Sequence, residues 1–95
     1  MTKKPTTKPI VDISRDESWL LKCPLRVFRH SKTYTQGDVA VAIGRSTQSV
    51  RNWEMGNSIP SDDNFELLAQ VMNTESVKLK QQWTDWMRLG KRTLD

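Results

Sequence analysis

The stretch TQGDVAVAIGRSTQSVRNWEMG, Thr35 to Gly56, decides how this chain folds. Thr35 carries the short oxygen-bearing side chain that caps helix N-termini. Val39, Ala40 and Ile43 then recur at a helical interval, and Gly44 is free to take the left-handed conformation that ends a helix. Ser46 offers a second cap immediately afterwards. The helix it starts turns Val50 and Trp53 inward and Thr47, Gln48, Arg51 and Asn52 to the opposite, solvent side, until Gly56 stops it. Two very short helices are therefore expected, joined by a glycine turn, with Ala40 small enough to let them touch closely.

Working toward the C-terminus, Gly56 to Pro60 reads as a turn, after which Ser61 or Asp62 can cap a helix with Phe65, Leu68, Ala69 and Met72 at core spacing. A further helix is expected from about Glu75. Its stripe Leu79, Trp83, Trp86 and Met87 keeps to one helix face, and serves either an intrachain core or a dimer interface, or both. Asp62 and Asp63 are explained as cap and first-turn carboxylates, which favour the positive end of the helix dipole, rather than as metal ligands.

Working toward the N-terminus, Pro24 lacks an amide proton and suits the first turn of a helix running to about Lys32, with Leu25 and Phe28 inward. Ser14 and Glu17 have capping-box spacing ahead of Trp19, Leu20 and Leu21, which predicts a short helix, and Ile10, Val11 and Ile13 alternate as in an extended piece. Met1 to Pro9 holds Lys3, Lys4, Lys8 and two prolines with no apolar residue beyond Met1, so a flexible arm is expected. The fold class that results is all-α: a compact bundle of about five helices with a flexible or extended arm, divided into a basic arm over 1–13 and a domain over 14–95.

Composition narrows the chemistry. Ninety-five residues make room for one compact domain. A single cysteine, Cys23, forms no intramolecular disulfide, and with one histidine, His30, it falls short of a four-ligand zinc site; a reducing cytoplasm fits. Cys23 is expected as a small buried apolar group and His30 as a surface helix residue. Neither a membrane span nor a signal peptide is expected from the short apolar runs. A metal set, a phosphate-binding glycine loop and a paired nucleophile and base are all missing from the sequence, so neither an enzyme nor a cofactor is expected. The formal charge of +4 and a pI near 9.5 favour a polyanionic partner.

Helix, tight glycine turn and a second helix with polar N-terminal residues is the geometry by which a helix enters the major groove of DNA. Thr47, Gln48, Arg51 and Asn52 match what base edges offer: Gln or Asn bidentate to adenine, Arg bidentate to guanine, and the Thr methyl to thymine. These four are the candidate base contacts, with Gln48 foremost.

Through Thr35, Gln36, Val39, Ala40, Ile43, Gly44, Ser46, Val50, Trp53, Glu54, Gly56 and Pro60, in register and without a gap, the chain resembles the Cro/repressor-like (XRE) helix-turn-helix family over roughly Leu25 to Met72. The resemblance implies that Gln36 binds a phosphate at the start of its helix, where unpaired amides and the helix dipole also favour anions. It implies too that Arg29 of the first core helix pairs with Glu54 of the recognition helix. Two positions depart from the family pattern. Gly37 replaces a better helix former, at about 1 kcal/mol, and Arg45 replaces a frequent apolar residue. Arg45, Lys32 and Asn57 are further candidate phosphate contacts, and Lys3 and Lys4 resemble the lysine-rich arm by which some phage repressors wrap the duplex.

The expected function is that of a sequence-specific transcriptional regulator, a homodimeric repressor on a palindromic operator in a bacterial cytoplasm, encoded by analogy on a phage or plasmid. Two alternatives remain open. One is a protein-interaction module, such as an antitoxin or polymerase-associated factor, and the other is a DNA-bending recombination accessory protein.

Overall fold

A computed structural model describes residues 17–94, and these are helical throughout apart from turns. Six helices follow one another: α1 (Glu17–Leu20), α2 (Pro24–Lys32), α3 (Gln36–Ile43), α4 (Thr47–Glu54), α5 (Asp62–Met72) and α6 (Ser76–Leu94). The count exceeds five because the four-residue α1 is a helix in its own right. Lys3, Lys4, Lys8, the extended piece at Ile10, Val11 and Ile13, and the Ser14 cap lie outside the described residues.

Local chemistry sets the helix starts. Thr35 accepts from the Asp38 amide while the Asp38 carboxylate accepts from the Thr35 amide, a reciprocal box that satisfies two orphan donors. Ser46 caps α4 through the Ser49 amide, and Ser61, rather than Asp62, caps α5 through the Asn64 amide. Pro24 opens α2, where no amide donor is needed.

The ends share one device. Tyr34, Arg45, Asn57 and Thr74 each donate a backbone N–H to the carbonyl five residues back, closing α2, α3, α4 and α5 in turn. The preceding residue in each case has positive φ: Thr33, Gly44, Gly56 and Asn73. The two glycines signal this in the sequence. Thr33 does not, being β-branched in a conformation its side chain disfavours.

The core lies where α3, α5 and α6 converge, around Val39, Ile43, Val50, Phe65, Leu68 and Trp83. Phe65 and Trp83 meet edge to face at 5.6 Å, as do Trp83 and Trp86 at 6.1 Å. Leu79, Trp83 and Trp86 are buried in this core and Met87 packs partly against it. The chain's own core thus uses Leu79, Trp83 and Trp86, the first of the two uses expected of this stripe. One correction concerns α2: Leu25 is buried, but Phe28 is only partly so, and the adjacent Arg29 takes the interior position.

Candidate nucleic-acid interface

The second helix of the pair is held from below. Val50 and Trp53 sink into the core, and Ala40, 2% exposed, lets α3 and α4 approach closely across the Gly44 turn. With that side fixed, Thr47, Gln48 and Arg51 are exposed and Asn52 half-exposed, all on the outward flank of α4. Gln48 donates its side-chain amide to the Asn52 carbonyl oxygen at 3.1 Å, so the two side chains are presented as a pair. The Gln48 carbonyl and the Asn52 amide N–H remain for other partners.

Glu54, at the last turn of α4, is fully buried and is the charge centre beneath this surface. Arg29 grips it with a two-pronged fork, Nε to Oε2 at 2.7 Å and Nη2 to Oε1 at 2.8 Å, while Arg29 Nη1 donates to the Tyr34 carbonyl. The Glu54 carboxylate pushes the Arg29 guanidinium above its already high ordinary pKa. Arg26 brings a second cation, its buried Nε 3.3 Å from Oε1 in an ion pair that lacks hydrogen-bond alignment. Gln36 completes the set, donating Nε2 to Oε1 at 3.1 Å. One carboxylate thus ties α2, α3 and α4 together, and the contributions of Arg26 and Gln36 carry no sequence signal beyond their residue type.

The candidate phosphate contacts ring this surface. Gln36 stands at the first turn of α3, where backbone amides lack intrahelical partners, with one side-chain N–H engaged by Glu54. Arg45, in the turn between α3 and α4, donates Nε to Asn64 Oδ1 at 2.8 Å and Nη1 to the Gly44 carbonyl, which fixes its guanidinium at the start of α5. Asn64 was not singled out from the sequence, where it reads only as a first-turn residue of α5. Lys32 is exposed at the end of α2 and Asn57 in the turn after α4. Lys3 and Lys4 are not among the described residues.

No group of three His, Cys, Asp or Glu residues among the described residues is placed to hold a metal ion. Cys23 is buried and His30 exposed. Asp62 pairs with Lys80 at 2.8 Å. No helix of the described residues is long and apolar enough to cross a membrane.

A family model described as helix-turn-helix matches residues 25–79, from the start of α2 into α6. The chain belongs to the XRE-type helix-turn-helix family. No curated protein and no solved structure matches it at the significance required. Within the helix-turn-helix domain, α3, the Gly44 turn and α4 are the motif itself, and α2, α5 and α6 supply the core that carries it. Membership makes this a DNA-binding regulatory domain.

Proposed function

We infer that the protein is a sequence-specific transcriptional repressor that binds a palindromic operator as a homodimer. The observation that carries this reading is the outward flank of α4: Thr47, Gln48, Arg51 and Asn52, four side chains suited to base edges, held on a helix whose other side is locked by Val50, Trp53 and Glu54. Rigid support matters because base readout needs donors and acceptors held to a fraction of an ångström.

In this reading α4 enters the major groove and those four residues specify bases. The α3 N-terminus at Gln36, with Arg45, Lys32 and Asn57, grips the flanking phosphates and sets the register, and Lys3 and Lys4 add contacts from the arm. Occupancy of an operator that overlaps a promoter excludes polymerase.

Selection of bound duplexes from a random pool by the purified chain, with affinity of the winners followed against salt, tests the reading. An enriched inverted repeat supports a dimeric sequence-specific regulator, and the salt slope counts the phosphates engaged. Weak binding with no enriched motif would instead favour a role as a protein-interaction module.

A further inference from the structure

One surface lies outside the helix-turn-helix motif, on the outer side of the helices that support it. Residues Lys22, Pro24 and Val27, around the start of α2, face Gln82, Asp85, Trp86 and Leu89 of α6 across an open groove of about 430 Å³. The four α6 residues fall on one helix face, which joins the core stripe at Trp86. Trp86 is 3% exposed and forms the floor, whereas Val27 and Leu89 are 53% and 49% exposed. Leu21, next in the chain to Lys22, is also exposed. Large apolar side chains gathered around a single groove mark an interaction site more than scattered ones do.

The charges indicate the occupant. The groove carries one cation, Lys22, on the α2 side and one anion, Asp85, on the α6 side. Lys22 makes no ion pair among the described residues; Asp85 takes only the exposed Arg88 at 3.5 Å and Gln81 on its own helix, and its side chain stays 57% accessible. A surface with opposite charges on its two sides is self-complementary across a two-fold axis, where each Lys22 faces the second copy's Asp85. A nucleic acid would require cations alone, and an acidic or basic peptide would leave one of the two charges facing its like. No lining residue belongs to α3 or α4, so a partner seated here leaves the outward flank of α4 open.

We propose that this groove is the surface through which two copies of the chain pair. The proposal rests on the homodimer reading above and names its interface.

Sedimentation of the full chain over a concentration series, with Val27→Glu, Leu89→Glu, Lys22→Glu, Asp85→Lys and the combined Lys22→Glu, Asp85→Lys swap, tests it. Val27→Glu and Leu89→Glu are expected to leave a monomer whose far-UV circular dichroism and melting match wild type. Each single charge reversal is expected to weaken pairing about tenfold or more, and the combined swap to restore it. Dimers that survive both glutamate substitutions and ignore the charge swaps would overturn the groove while leaving a homodimer in place. A wild-type chain that stays monomeric with and without operator DNA would overturn both. Retained binding of a single half-site by the monomeric variants would keep the DNA reading separate from either result.

Discussion

Trp19 and Trp86 exchange hydrogen bonds: the Trp19 indole N–H donates to the Trp86 carbonyl at 2.6 Å, and the Trp86 indole N–H to the Trp19 carbonyl at 2.7 Å. Their rings stack at 4.3 Å, 8° from parallel. The four-residue α1 is far too short to persist alone. This clasp docks it on α6, with the Trp19 ring seated against Gly90 of α6 and against Gly56 in the turn that follows α4. Trp19→Ala removes the ring and one of the two bonds. A loss of about 3 kcal/mol is expected in urea unfolding, and a loss under about 1 kcal/mol would show that α1 contributes little.

Two glycines in helices give opposite expectations. A Cβ at Gly90 would overlap the Trp19 indole, whereas one at Gly37 meets only Thr35 Oγ1 at 3.7 Å and Thr47 Oγ1 at 3.9 Å. Alanine ordinarily favours a helix over glycine, so Gly37→Ala is expected to add about 0.5 kcal/mol. Gly90→Ala should instead cost about 1 to 3 kcal/mol by expelling the ring. Melting of both variants checks the pair, and a stabilised Gly90→Ala would contradict the seat.

Arg29→Ala leaves the buried Glu54 carboxylate without its fork. Breaking a buried pair costs about 3 to 5 kcal/mol, and the lower end is expected because Arg26 and Gln36 still reach the same carboxylate. Chemical denaturation measures this. A cost near zero would mean that Arg26 swings into alignment and substitutes fully.

Gln48→Ala is expected to weaken the best selected duplex by about 1 to 3 kcal/mol and to relax preference at one base position. Equal loss on every sequence would assign Gln48 to the backbone instead. Because Gln48 holds Asn52 at 3.1 Å, the double variant with Asn52→Ala should lose less than the sum of the singles.

Burial pushes the Cys23 thiol from 9.0 up to about 12, outweighing backbone hydrogen bonds that act the other way. The unfolded thiol ionises from about pH 9, but the folded one stays protonated until about pH 12, so its contribution to stability is complete below pH 9 and is lost between these values. Across that window wild type should lose stability more steeply than Cys23→Ala. Native protein at pH 8 should also resist a thiol reagent that reacts at once in denaturant. Rapid labelling of the native chain would show that the site opens.

What the sequence by itself determined is what neighbouring residues settle between themselves. The Thr35 and Ser46 caps, a cap at Ser61 or Asp62, Pro24 at a helix start and the Gly44 turn each depend on groups a few positions apart, so spacing and residue type suffice. The periodicity of Val39, Ala40, Ile43, Val50 and Trp53 likewise fixed which flank of α4 faces outward, and with it the candidate interface. Only the tertiary structure decided that Trp19 clasps Trp86, that Arg26 and Gln36 join Arg29 on Glu54, that Arg45 is held by Asn64, and that Arg29 rather than Phe28 takes the interior position of α2. It also set how the last helix divides, burying Leu79, Trp83 and Trp86 in the chain's own core and leaving Leu89, like Val27 of α2, at the surface. The physical reason is shared by all of these. Helical period fixes which side chains share a face, but the distance and angle at which helices pack determine which faces meet, and a single sequence does not express those quantities.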